Sequence, residues 1–446
     1  MSDVIAELLA RFEDKLDTRA IVVGYDAISE GFGELIAHLP AGNWLVAYDE
    51  NTWQVAGKRL AELLDAAGMA WTRYEVVGVH AGEWPMCDDA AVLAFERALE
   101  ATGCVASIAV GSGTINDIVK LASDRRGLYM ACVCTAPSMN GYTSGIAAVL
   151  SEGVKTTIAC RAPRVIIADL DVMAESPYRM ICSGLGDLMS KPVSNADWQL
   201  SALLNDSFHS DEAMAIIETG AAMLEGVAPR LPARDREAIG GLVNALMLSG
   251  LAMSVAGSSS PASGGEHLVS HYIDMTGHAF DLPCDFHGCQ VGVGTLSTAF
   301  IYERLMALDP GSIDIEACVE HLLPWPDYRA LLAERFGPLF EAVVKHAEQA
   351  YPTPEVLRAR LVRLVENWDV IMGSVARTLR TKDSLEAELL EAHCPVRFAQ
   401  LDVDRERAFA SIAHSKDIRN RYTILHLAWE LGHLDAWTRA ALEELF

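Results

Sequence analysis

Short β-branched runs alternate with helix-length amphipathic stretches along the first 160 residues, and nothing else in the chain restricts its fold as much. Strands are predicted at Ala20 to Gly24, Trp44 to Tyr48, near Tyr74 to Val77, Val105 to Val110 and Tyr129 to Cys134. Between them, helices are predicted up to Leu39, from Trp53 to Ala67 and from Ala90 to Ala101. Strands that return through helices rather than tight turns run parallel, and they need helices on both faces to bury them. After Ile167-Ala168-Asp169-Leu170-Asp171 strand signals nearly vanish, and Ala, Leu and Met recur at three-to-four spacing to the C-terminus. Ser176-Pro177 reads as an N-cap followed by Pro at the first helical position. The expected fold is α/β plus all-α: a Rossmann-like parallel-sheet, nucleotide-binding domain at 1–175 and a helical, metal-binding domain at 176–446, with the active site in the cleft between them.

A chain of 446 residues with 51% hydrophobic and 22% charged residues can bury two such cores and carries no signature of disorder. Its net charge of -26 argues against a nucleic-acid partner, which needs a clustered basic face to neutralise phosphates. Met1-Ser2-Asp3-Val4-Ile5-Ala6-Glu7 is acidic where a signal peptide is basic, and no uncharged apolar run of about 18 residues is expected, so a cytoplasmic protein with no membrane partner is predicted. Ten cysteines without a CxxC pair indicate neither a zinc ribbon nor a disulfide framework. Cys132 and Cys134 face one side of a strand as buried thiols, whereas Cys284 and Cys289 flank His287, where ordinary packing and ligation are both open.

Several segments carry chemistry. Strand Val105 to Val110 runs into Gly111-Ser112-Gly113-Thr114-Ile115-Asn116-Asp117 and a helical stretch, Ile118 to Ser123. A glycine turn that opens a helix presents free N–H groups and the positive end of the dipole, which suits a pyrophosphate. The next strand ends in Thr135-Ala136-Pro137-Ser138-Met139-Asn140-Gly141-Tyr142-Thr143-Ser144, small polar residues at a parallel strand's carboxyl end. Asp49 ends strand Trp44 to Tyr48, where an acid accepts from an adenosine ribose or simply forms a turn. Glu266-His267 and His271 sit on a predicted helix with the imidazoles one turn apart, and Asp285-Phe286-His287-Gly288 follows, a pattern suited to a divalent metal. Gly184 to Lys191 reads as the start of a helix with Asp187 in its first turn.

Together these phrases carry a resemblance. GSGTINDIVK (from Gly111), TAPSMNGYTS (from Thr135), IIADLDVM followed by SGLGDLMSK and ADW, PASGGEHLVSH, HGCQVGVG and the late Ile418-Arg419-Asn420-Arg421-Tyr422-Thr423 resemble the iron-containing alcohol dehydrogenases. Within these, they are most similar to glycerol-1-phosphate dehydrogenases of the bacterial AraM type, related to glycerol dehydrogenase and dehydroquinate synthase. The resemblance spans nearly the whole chain. It implies a metal held by Asp187, His267 and His287, an O/N/N set that suits Zn²⁺ first, or Fe²⁺ or Ni²⁺. It implies a nicotinamide cofactor, NAD or NADP, against Gly111, Gly113, Thr114, Asp117, Thr135, Ser138 and Ser144, with Asp49 at the ribose. It also implies a role for His271 near substrate, as hydrogen-bond partner or proton relay, and a homodimer. Glu266 is expected to point away from the His267 face and to play a supporting part.

The implied reaction is an alcohol–ketone interconversion on a small polyol or polyol phosphate, with sn-glycerol 1-phosphate and dihydroxyacetone phosphate as the leading pair. Lys155 and Lys191 are the cations expected for a substrate phosphate, Lys191 because it is predicted one turn beyond Asp187 on the same helical face. One position departs from the family pattern: where these enzymes commonly carry Asp in a Ser-Met-Asp-Gly loop, this chain has Asn140, an amide in place of a carboxylate at an expected catalytic position. That departure leaves two further alternatives beside a different polyol substrate: a dehydroquinate-synthase-like cyclase that uses NAD transiently, and a catalytically altered nucleotide-binding homologue.

Overall fold

The structure is a computed structural model and describes residues 2–78 and 85–446. Its N-terminal sheet has six parallel strands: β1 (Ala20–Gly24), β2 (Trp44–Tyr48), β3 (Trp71–Glu75), β4 (Ala106–Gly111), β5 (Tyr129–Cys134) and β8 (Val165–Asp169), in the order β1-β8-β5-β4-β2-β3. Between β5 and β8 lies a separate two-stranded ladder of β6 (Ile146–Ser151) and β7 (Val154–Ala159). The chain moves outward from β2 to β3 and in the opposite direction from β4 to β5, so the carboxyl ends of β2 and β4 flank the point where strand order reverses. All residues of β2, β4 and β8 are buried, as both-face coverage requires.

The parallel sheet and the helical C-terminal part are as the sequence predicts. The hairpin of β6 and β7 was not expected. Glu152 and Gly153, both at positive φ, make its two-residue turn, a conformation that glycine adopts without a Cβ penalty.

The chain clusters into two compact units, each discontinuous in sequence. The first holds residues 1–151, 155–188 and 212–259, with an apolar core around Trp44, Leu60, Ile108, Val133 and Ile167. It contains helix α1 (Gly113–Arg125), nearly all of α2 (Tyr178–Met189) and, later in the chain, α4 (Arg236–Ala256). The second holds residues 152–154, 189–211 and 260–446, and includes α3 (Lys191–Asn205), α5 (Gly265–Phe280) and α6 (His287–Met306). One of its cores gathers Leu268, Tyr272, Tyr328, Leu332 and Val343.

Four local expectations need correction. Helix α1 starts at Gly113, not Ile118, because the glycine turn itself enters the helix. The Ser176 hydroxyl donates to the Met173 carbonyl at 2.8 Å, closing the preceding helix rather than capping the next. Asp187 lies in the last turn of α2, and Lys191 opens a new helix instead of continuing that one. Pro192 explains the break, since it lacks the N–H that would extend the ladder of α2. Finally, residues 238–256 are an uncharged, mostly apolar run within α4, long enough by length and composition to cross a membrane. In the structure 89% of its most apolar window is buried inside the protein.

Candidate active site

In the first unit, β4 ends at Gly111, where a Cβ would come within 2.7 Å of the Ile115 side chain. Only glycine allows the chain to turn that tightly into α1. Ser112 is the N-cap by position, yet its Oγ is 2.5 Å from Ser138 Oγ, and it makes no side-chain cap bond to the helix. The first-turn N–H groups, on Gly113 and Thr114 among others, are therefore not covered by their own cap. Tyr142 donates its hydroxyl to the Ala136 carbonyl at 2.8 Å and pins the loop after β5, where Thr135 and Ser138 are buried.

The other expected cofactor residues are committed to building this scaffold. Asp117 accepts from the Ala148 N–H at 2.9 Å and pairs at 3.1 Å with Lys120, whose fully buried ammonium donates to the Gly141 carbonyl at 2.9 Å. Ser144 Oγ donates to the carbonyls of Gly141 and Ile146. Asp49 caps the helix after β2, accepting from Thr52 N at 2.8 Å in a reciprocal capping box, so the turn-forming role is the one visible there.

Asn140 does something its position in the sequence did not announce. Its backbone N–H donates to Asp187 Oδ2 at 3.0 Å, its side-chain amide donates to Oδ1 at 3.1 Å, and the same amide reaches Ser249 Oγ at 3.3 Å. Asp187 is 1% exposed and sits at the carboxyl end of α2, where the helix dipole disfavours a negative charge. Donors from Asn140 offset that cost and fix both carboxylate oxygens. The loop can approach because Gly184 and Gly250 have no side chain: a Cβ on Gly184 would lie 1.8 Å from the Pro137 carbonyl oxygen, and one on Gly250 would lie 2.4 Å from that of Asn140.

In the second unit, α5 and α6 bring three imidazoles together. The rings of His267 and His287 are 5.2 Å apart, and His271 stacks on His287 at 5.8 Å with an interplanar angle of 20°. The two imidazoles nearest each other are oriented through Nδ1: His267 by Glu266 Oε1 at 2.8 Å, and His287 by Ser270 Oγ at 3.1 Å. With Nδ1 so engaged, Nε2 is the ring nitrogen that would serve each as a ligand. Glu266, expected to point away from His267, instead holds its ring, because its buried carboxylate turns back to accept the Gly264 N–H at 2.7 Å.

Behind Glu266 lies Asp197, which accepts from Gly265 N–H at 2.7 Å, Tyr302 hydroxyl at 2.6 Å and Ile424 N–H at 2.7 Å. Burial, reinforced by the Glu266 charge, pushes its carboxyl up to about 7. Arg407 holds the loop that leads to His287, donating to the carbonyls of Ile273 and Pro283 and to Thr276 Oγ1.

One carboxylate oxygen of Asp187 and one ring nitrogen each of His267 and His287 lie within 4.8 Å of one another. This is the trio implied by resemblance, and it includes neither Cys284 nor Cys289. One anionic oxygen and two neutral nitrogens, each held by a donor or acceptor behind it, fit a divalent cation that keeps open positions for a reacting oxygen.

The two expected phosphate cations belong to different units. Lys155, on β7 in the first unit, is near enough to Cys87 to oppose the rise that burial imposes on that thiol. Lys191 is buried in the second unit and donates to Ser190 Oγ at 3.0 Å and to the Ala262 carbonyl at 3.2 Å, just before α5. Asp197, Ser270 and Arg421 were not singled out as site residues from sequence; Asp197 and Arg421 stood only inside the ADW and RNRYT phrases.

Residues 22–177 match the family model described as iron-containing alcohol dehydrogenase. Among curated relatives, a glycerol-1-phosphate dehydrogenase [NAD(P)+] from Halalkalibacterium halodurans is 34% identical over 349 residues, covering 78% of this chain and 82% of its own. A protein of the same name from Bacillus licheniformis is 28% identical over 419 residues, covering 94% and 90%. Another from Pyrococcus horikoshii is 33% identical over 285 residues, covering 64% and 78%. Among solved structures, a probable glycerol dehydrogenase from Sinorhizobium meliloti 1021 shares the fold with a TM-score of 0.61 at 14% identity, covering 95% of this chain and 98% of that one. On the strength of these matches and the Asp/His/His trio, the chain belongs to the glycerol-1-phosphate dehydrogenase-like family of the iron-containing alcohol dehydrogenase superfamily and is an NAD(P)-dependent, metal-associated dehydrogenase.

Proposed function

We propose that this dehydrogenase interconverts sn-glycerol 1-phosphate and dihydroxyacetone phosphate. The observation that carries the reading is the convergence of Asp187, His267 and His287 within 4.8 Å, in a chain whose curated relatives bear the name glycerol-1-phosphate dehydrogenase. These three residues would hold the cation, which we take to be Zn²⁺. When bound, it supplies Lewis acidity at the substrate oxygen, while the nicotinamide carries the hydride.

The protein's own residues do the rest. Asn140 fixes the Asp187 carboxylate, and Glu266 and Ser270 fix the two imidazoles, so that little reorganisation is left for the reaction itself. His271, stacked on His287, is placed to take or give the proton of the substrate hydroxyl. The N–H groups of Gly113 and Thr114 beside Gly111 would hold the cofactor's phosphates, with Thr135 and Ser138 on the loop after the next strand. Asp49 stands at the neighbouring strand end for the ribose. Asp117 and Ser144 serve the cofactor indirectly by shaping that loop. Lys191 contributes positive charge for the substrate phosphate, and the enzyme works as a homodimer, which light scattering would check.

The test is oxidation of NADH and NADPH by metal-reconstituted protein with dihydroxyacetone phosphate, alongside dihydroxyacetone and a panel of small ketones. Turnover with the phosphate ester, abolished by His267→Ala, is expected. Turnover only with another ketone would overturn the substrate, and no turnover with any would overturn the reading of an active dehydrogenase at this site.

A further inference from the structure

Helix α5, which carries His267 and His271, starts at a residue that cannot cap it: Gly264 stands at the N-cap position with no side chain to offer the first-turn N–H groups. The acceptor comes instead from α3, where buried Asp197 takes the Gly265 N–H on Oδ2 at 2.7 Å. Glu266 turns back to take the Gly264 N–H on Oε1, and the same oxygen holds His267 Nδ1 at 2.8 Å. Both carboxyl groups crowd the glycine: a Cβ on Gly264 would lie 2.6 Å from Asp197 Oδ2 and 2.8 Å from Glu266 Oε2. The turn that sets His267 is thus closed by an acid 68 residues from Gly265.

The other oxygen of Asp197 serves α6. Oδ1 accepts the Tyr302 hydroxyl at 2.6 Å, and also the Ile424 N–H at 2.7 Å. Burial, reinforced by the Asp197 charge, pushes the Tyr302 phenol well above its ordinary value, so it keeps its proton and donates. Helix α6 begins with His287 and packs closely on the first turn of α5: a Cβ on Gly294 would lie 2.6 Å from the Glu266 carbonyl oxygen, and one on Gly265 would lie 3.2 Å from Thr298 Cγ2. The two helices that bear the imidazoles are therefore tied at two levels, by Ser270 to His287 at one and by Gly265, Asp197 and Tyr302 at the other. Contacts between small residues let helices approach without fixing their register, whereas a short hydrogen bond to a carboxylate is directional and does fix it.

We propose that Asp197 and Tyr302 are positioning residues for the metal site: their hydrogen bond locks the first turn of α5 to α6 and so sets the spacing and aim of His267 against His287. Asp197 acts through the Gly265 N–H, Glu266 and His267, and Tyr302 acts through Asp197. The inference rests on the Asp187/His267/His287 trio and not on which ketone is reduced.

Tyr302→Phe removes one hydroxyl and leaves the ring. Its Zn²⁺ affinity would be measured by competition with a chromophoric chelator, and the visible absorption of the Co²⁺-loaded protein would report the geometry around the ion. Affinity should fall by roughly 10-fold, the low end for losing a group that stands behind a ligand, and the Co²⁺ bands should shift or weaken. Tyr328→Phe is the control, because it removes another buried hydroxyl of the same unit that donates to a carboxylate, Asp417 Oδ1 at 2.8 Å. Thermal unfolding of the metal-free protein should register a loss in both variants, whereas metal affinity and the Co²⁺ bands change in Tyr302→Phe alone.

Wild-type affinity with an unchanged spectrum in Tyr302→Phe overturns the proposal. So does an equal loss of affinity in Tyr328→Phe, which would make the effect a general loosening of the unit. If Tyr302→Phe does not fold, Asp197→Asn, which keeps the shape and loses one acceptor, decides on the same readouts. If wild type binds neither ion, the trio and this inference fall together; if it binds both and reduces no ketone, the proposed function falls while the positioning role is read from the binding data.

Discussion

At the scale of single residues, Asn140 shows how a departure from a family pattern is understood once its partner is seen. Read from sequence, an amide in place of a carboxylate removes a charge from a catalytic loop. In the structure the same amide donates to a carboxylate 47 residues away, which a second carboxylate would repel at that distance. Asn140→Ala should weaken metal binding by about 10- to 100-fold, the usual cost of losing a group that orients a ligand, as read by competition with a chromophoric chelator. Wild-type affinity in that variant would show that Asp187 needs no such anchor. The trio itself was legible because its residues stand in recognisable phrases. The anchors Ser270 and Asp197 were not, and Asn140 was marked as a site residue without its anchoring role, because donors to a carboxylate or imidazole come from any polar residue type and carry no spacing.

At the scale of elements, the phase of the hydrophobic pattern placed four of the five predicted strands to within a residue, since burial on both faces leaves a continuous β-branched run. β3 was the exception, predicted near Tyr74 to Val77 and found at Trp71–Glu75, where as an edge strand it is less buried. Element ends were harder, because Asp187 and Lys191 look like one helical face until Pro192 interrupts the ladder. Close approach between elements was harder still. Gly184 reads as a glycine near a helix, whereas the structure shows α2 pressed against the Pro137 carbonyl. Gly184→Ala should therefore destabilise the protein by about 1–3 kcal/mol or more through forced backbone displacement, and it should also loosen the Asn140 loop. Thermal unfolding checks the first effect and chelator competition the second; a melting temperature equal to wild type would mean the loop can retreat at no cost.

At the scale of the whole molecule, two buried groups set opposing pH dependences. His414 is held down to about 4, chiefly by burial and by Arg335, so as pH falls below 6.5 the unfolded chain takes up a proton that the folded chain refuses, and stability is lost. Asp197 is raised to about 7, so it keeps its proton in the folded state where the unfolded chain has lost it, and stability is lost as pH rises from 3.8 through 7. Each contributes a slope of up to about 1.4 kcal/mol per pH unit, with opposite signs between pH 4 and 6.5. Denaturant unfolding of the metal-free protein should show His414→Gln gaining stability toward acid relative to wild type, and Asp197→Asn losing it. Parallel profiles for all three proteins would show that neither group is buried as described.

Several properties follow from the sequence without the fold. Alternating strand and helix periods dictate a parallel sheet, because the period of apolar residues is set by local backbone geometry. Motif phrases identify the Asp/His/His trio, because a metal demands particular side chains. Only the tertiary structure decided which residues hold those ligands in place, that two compact units are each discontinuous along the chain, and that an uncharged apolar helix is buried inside the protein. It alone brought Lys191 and Arg421 onto one loop. Hydrogen bonds and charge clusters act through space over a few ångströms, and residues that meet there are separated in sequence by distances that no local pattern records.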